Sequence, residues 1–201
     1  MELPLRIAVF DKSKKGQGLK MISLVDKPAI GFEAIKMSEQ MPVKLSIQNE
    51  DERIILTPVL IPNQKIYRNI DGYEFNLMFE ENTIKDIATE WQRNHLSTNA
   101  DINHSRNLID GVVWFETFVL SDKRVKEVVG FEGMPLGTWF VSGKVEDDGV
   151  WGKIKSGEIK GVSIDGVFDA MLVQQSKQEL IDDDTLDKAA KIILKEILNN
   201  K

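Results

Sequence analysis

Leu5, Ile7 and Val9 alternate with other residues, which is the period-two pattern of a strand. A glycine-bearing turn at Lys14-Lys15-Gly16-Gln17-Gly18 separates them from a second apolar run, Leu19 to Val25. Asp26-Lys27-Pro28 closes that run, because proline brings no amide donor to a ladder and pushes the preceding residue out of helix. Further strand-like runs cover Val43 to Gln48, Arg53 to Ile61 and Tyr73 to Phe79, punctuated by Pro58, Pro62 and the Asp71-Gly72 turn pair. Val112 to Leu120 is apolar on both faces apart from Glu116 and Thr117, a pattern that predicts a central, buried strand. Three segments change to helical spacing. Ile84, Ile87, Ala88 and Trp91 share one face of a helix that begins near Asn82-Thr83. Asp147 and Asp148 cap a short helix that holds Val150, Trp151 and Ile154 and stops at Gly157. Asp184 to Asn199 carries a stripe of Leu186, Ala189, Ala190, Ile193 and Ile197, with acidic residues at its start and Lys191 and Lys195 later.

Many strands and few helices, without regular alternation, predict an α+β fold: a β-rich domain with peripheral helices rather than a doubly wound sheet. Residues 1–180 are expected to form one domain, with residues 181–201 as an amphipathic C-terminal helix packed on it or appended to it. A chain of 201 residues with 42% hydrophobic and 29% charged positions can bury such a core.

Charge and composition narrow the function. A net charge of -6 argues against DNA or RNA as a direct partner, because phosphate binding needs a cationic surface. The chain has no cysteine, so disulfides, thiolate zinc sites and cysteine nucleophiles are all excluded. Met1 to Arg6 lacks the basic and apolar regions of a signal peptide, and no apolar run reaches the roughly 18 residues of a membrane span. A cytoplasmic protein with no membrane partner and no cofactor is the expectation.

Two histidines exist, His95 and His104. His104 ends the segment Asn99-Ala100-Asp101-Ile102-Asn103-His104-Ser105, where a structural histidine, a general base, or a metal site with His95 and Asp101 are alternatives. No recognised ligand spacing supports the metal. The segment Gly157 to Phe168 reads as strand, with Val162, Ile164 and Phe168 on its core face and Gly161, Ser163 and Asp165 on the other. Ser163 is there either a solvent-facing residue of an edge strand or a nucleophile held on stiff backbone. A serine nucleophile needs a base, and the base needs an orienting group. A Ser–His pair is the one standard covalent mechanism this composition readily assembles.

Several stretches taken together resemble the XkdF-type branch of the phage prohead serine proteases, relatives of the herpesvirus assemblins. They are Ser23 to Ile30, Ile61 to Arg68, Asn103-His104-Ser105, Gly137 to Val141 and Val150 to Phe168. The resemblance implies a barrel-like β protease domain, with Ser163 as nucleophile and His104 as base. It makes Glu116 the first choice for the third triad member, because the family carries an acidic residue before an aromatic on the strand after the histidine. Asp165 and Asp182 to Asp184 are the rivals. Assemblins place arginine-bearing backbone after the nucleophile, and no arginine follows Ser163 here, so the oxyanion hole falls to other N–H groups or an ordered water. The implied activity is a serine endopeptidase that cleaves scaffold and major capsid precursors inside the procapsid, in the host bacterial cytoplasm. A homodimer is implied by the assemblin kinship. The alternative is a non-catalytic capsid assembly or scaffolding protein on the same fold, docking through its C-terminal helix.

Overall fold

The alternating run at the start becomes strand β1 (Leu5–Val9), and the second run becomes β2 (Gly18–Val25). The chain continues through β3 (Ser46–Asn49), β4 (Ile54–Leu60), β5 (Ile66–Ile70), β6 (Tyr73–Met78) and α1 (Glu81–Arg93). After these come β7 (Ala100–Ile102), β8 (Val112–Val119), β9 (Trp139–Val145), α2 (Asp148–Lys155), β10 (Gly161–Val167) and β11 (Asp169–Leu172). The structure, a computed structural model, describes residues 3–28 and 45–172. The expected helix over 181–201, with Asp182 to Asp184 before it, lies outside the described residues.

The strands form three open sheets, in the orders β11-β1-β6-β5, β10-β2-β7 and β3-β4-β9-β8. The α+β class and the β-rich character hold, but among the described residues no barrel closes. The closure fails because each sheet ends on edge strands that find no partner in the next. The sheets are joined instead by side chains: Leu19, Ile22 and Leu24 of β2 share one core with Ile55 and Val59 of β4, Phe75 and Leu77 of β6, and Trp139 and Val141 of β9. Helix α1 lays Ile84, Ile87, Ala88 and Trp91 into that core, where Trp91 meets Trp139 edge-on at 5.6 Å between ring centroids. Both helices follow their sequence signals. In α2 the Asp147 carboxylate accepts from the Val150 amide at 2.7 Å, satisfying one of the amides that a helix start leaves unpaired.

The strand from Val112 differs from its expectation. β8 is the edge of its sheet, and β9 is the strand held between two neighbours. Trp114 is buried on one face of β8, but Phe115 and Glu116 are exposed. Apolarity on both faces has a different cause here. Trp114 enters the main core, whereas Phe118 stacks on Phe140 in a separate cluster with Leu56, Leu120, Val128 and Phe131. Gly143, opposite Trp114 in the β8–β9 register, makes the first packing feasible, since a Cβ there would stand 2.7 Å from the indole.

β5 was not among the expected strand-like runs. β5 is polar at Arg68 and Asn69, yet it pairs with β6 through the Asp71-Gly72 turn, whose φ values of 51° and 84° suit a two-residue hairpin. β4 tolerates Pro58 inside a sheet because the register against β9 shifts between Pro58 and Leu60.

Candidate active site

The three-stranded sheet β10-β2-β7 places the chemistry. β10 runs antiparallel to β2, with Ser163 directly opposite Ser23, and β2 runs parallel to β7, with Ser23 beside Asp101. Cross-strand partners point to the same side of a sheet. Ser163, Ser23 and Asp101 therefore form one polar row across three strands. Val162 of β10, with Ile22 and Leu24 of β2, supplies the opposite, core-facing side, as their burial in the main cluster shows. Ile164 and Phe168 pack against the same cluster, the face on which the alternation placed them.

The row is enclosed. Ser163 is 6% exposed, while Ser23 and Asp101 are 0% exposed. Ser163 is thus not the solvent-facing serine of the plainer alternative.

His104 arrives from a turn that follows β7. Asn103, His104 and Arg106 all have left-handed φ, at 50°, 57° and 62°. Side chains with a Cβ adopt that region at a cost, so the surrounding bonds must hold the turn in place. They are visible on both sides. The Asn103 amide donates to Leu24 O of β2 at 3.0 Å, and the Asn103 side-chain oxygen accepts from the Asp26 amide at 3.1 Å. The Asp101 carboxylate accepts the Arg106 amide on Oδ2 at 2.7 Å. The turn is pinned to β2 at one end and to a buried carboxylate at the other. It swings the imidazole over the polar row, where His104 Nδ1 lies 3.1 Å from Ser23 Oγ.

The strand that carries Ser163 and the strand that leads into the His104 turn are not adjacent. β2 stands between β10 and β7, and the residue that His104 meets through Nδ1 is Ser23. Ser163 borders Ser23 from the other side. With Nδ1 occupied, Nε2 is the ring nitrogen left to work as a base.

Glu116 is elsewhere. Its carboxylate accepts a hydrogen bond from Ser142 across β8 and β9, in a different sheet, and the residue is exposed. Among the described residues no hydrogen bond or ion pair links it to His104. Glu116 was expected from the family's acidic residue before an aromatic, and on the edge strand β8 its carboxylate stays exposed and lies apart from the polar row. Asp165 lies two residues beyond Ser163, opposite Met21, just before the register of β10 shifts. His95 takes a left-handed φ of 54° where α1 ends, and its amide donates to Gln92 O. Among the described residues no group of three or more His, Asp or Glu side chains gathers as a metal site.

Ser23 and Asp101 were the residues that sequence reasoning left without a catalytic role. The available signal was a lone serine inside the apolar run Leu19 to Val25, and an aspartate between Ala100 and Ile102. A polar side chain at such a position is buried and needs a partner.

With that geometry in place, comparison with known proteins assigns the class. Residues 42–172 match the family described as "Putative phage serine protease XkdF", and the chain belongs to that family. The matched span contains Asp101, His104 and Ser163, whereas Ser23 precedes it. No match was found among curated proteins or among solved structures. No described helix is long and apolar enough to cross a membrane.

Proposed function

We propose that this chain is a serine endopeptidase of phage capsid maturation, with Ser163 as nucleophile and His104 as general base. The observation that carries the reading is the shared border on Ser23. Ser163 faces it across β10–β2, and His104 contacts it at 3.1 Å, within a family of phage serine proteases. Ser163 Oγ gives its proton to His104 Nε2 as it attacks the scissile carbonyl carbon. The imidazolium then returns that proton to the departing amine, and water repeats the sequence on the acyl-enzyme. Ser163 is preferred to Ser23 as nucleophile because Ser23 is wholly enclosed, and a peptide carbonyl must reach the attacking oxygen.

The substrates in this reading are scaffold and major capsid precursors enclosed with the protease inside the procapsid. Enclosure raises the effective concentration of every cleavage site, so modest sequence specificity suffices. The test is treatment of the purified protein with a fluorophosphonate probe, followed by peptide mapping. Labelling of Ser163, lost in His104→Ala, is the expected result. An unlabelled, folded protein would leave a non-catalytic assembly role on the same fold. Co-expression with the neighbouring capsid genes then reads the substrates directly, as shortened precursors.

A further inference from the structure

We propose that Ser23, backed by Asp101, is the positioning residue of His104, filling the place in the relay that a carboxylate takes in other serine proteases. The proposal rests on the Ser163–His104 reading and names how that pair is oriented.

Three observations converge on it. Ser23 Oγ lies 3.1 Å from His104 Nδ1, the nitrogen opposite the one that must face the nucleophile. Ser23 is fully enclosed, so water does not compete for its hydroxyl. Asp101, its partner in the β2–β7 register, is also fully enclosed and keeps Oδ1 without a hydrogen-bond partner, although Oδ2 holds the Arg106 amide. A buried carboxylate oxygen left unpaired is costly, and an adjacent hydroxyl on the same face is the donor that relieves it.

The single proton of Ser23 decides the direction of the relay. A hydroxyl donates once and accepts on its lone pairs. The carboxylate can only accept, and it is the stronger acceptor, so the Ser23 proton goes to Asp101 Oδ1 once a side-chain rotation brings the two together. Ser23 Oγ must then accept from Nδ1–H. That fixes the neutral imidazole in the Nδ1-protonated tautomer and leaves Nε2 bare to take the proton of Ser163. When the imidazolium forms during attack, its charge faces a carboxylate through one polarisable hydroxyl. Asp101 also clamps the left-handed turn through Arg106, so one residue fixes both the position of the ring and its tautomer.

The protein has two histidines, so ¹⁵N-histidine labelling gives two ring systems, with His95 as the internal control. Long-range proton–nitrogen spectra of the wild type should show His104 in the Nδ1–H form. In Ser23→Ala the ring should shift toward the Nε2–H form, and Ser23→Thr, which keeps the hydroxyl, should restore it. Asp101→Asn should move the ring in the same direction as Ser23→Ala. The second-order rate of fluorophosphonate labelling at Ser163 should fall on the order of 10²-fold in Ser23→Ala and recover in Ser23→Thr. A wild-type His104 in the Nε2–H form would overturn the proposal. So would a tautomer and labelling rate unchanged in Ser23→Ala. The tautomer is read without any turnover, so a protein that the probe never labels defeats the protease reading while still deciding the role of Ser23.

Discussion

Ser163 and Ser23 stand directly opposite one another on antiparallel strands, one 6% exposed and the other fully enclosed. Of the two hydroxyls, Ser23 is the one that meets His104, and depth separates their proposed roles. Ser163→Ala should lower turnover to background, a loss on the order of 10³-fold or more, because no substitute nucleophile reaches the substrate. Its stability should change by less than about 1 kcal/mol, since only a hydroxyl is removed. Urea unfolding alongside precursor processing on a gel checks both halves. His104→Ala and the double variant should match the single loss, because nucleophile and base act as a unit.

Glu116→Gln should leave processing of co-expressed precursors close to the wild-type rate. The carboxylate is engaged by Ser142 on an exposed sheet edge, and the amide oxygen can accept the same bond. A strong fall in rate, with the fold intact, would return Glu116 to the catalytic relay.

Gly143→Ala should destabilise the protein by about 1–3 kcal/mol, because the new methyl has to share space with the Trp114 ring. Trp114→Phe in the same chain should recover part of that loss. A double-mutant cycle from denaturant unfolding measures the coupling, and strictly additive losses would disprove the contact as the cause.

Lys14 and Asp169 tie the turn before β2 to β11 at 2.5 Å. The hydrogen bond from Lys14 is the main reason that the Asp169 carboxyl is held below its ordinary value of 3.8, and Gln17 adds to it. A lowered carboxyl stabilises the fold above the unfolded value, and that contribution is lost as pH falls through the folded one. Asp169→Asn should therefore show a lower Tm than the wild type at neutral pH, with the gap closing below pH 3.8. Both side chains are about half exposed, so the gap should be small and shrink further in salt. Thermal scans from neutral to acid pH, with and without added salt, test it.

Much of the fold was legible because its signals are local. Alternation found β1, apolar runs found β2, β4 and β6, and helical spacing found α1 and α2, the second with its aspartate cap. Strand order is a non-local property, and there the reading failed. Val112 to Leu120 reads as interior because its two faces serve two separate apolar clusters, which a single chain segment cannot reveal. The same limit applied to the site. Ser163 and His104 stood out through their neighbours in sequence, whereas Ser23 and Asp101 matter only because β2 lies between β10 and β7. Glu116 was chosen from its place after the histidine, and a place in sequence does not reveal that β8 joins a different sheet.

The first and last described strands pair with each other, β1 with β11, and the polar row draws on β2, β7 and β10. The turn that carries the proposed base, at residue 104, therefore leaves the ribosome well before the proposed nucleophile at residue 163. At the pace of bacterial synthesis that interval is roughly 3–12 s. During it the chain carries His104 without Ser163, and sheet β10-β2-β7 lacks one of its outer strands. In the proposed reading, proteolytic competence arrives only after residue 163 has been made and β10 has paired with β2. On that proposal, a copy that stops short of β10 would leave the coat precursors around it uncut.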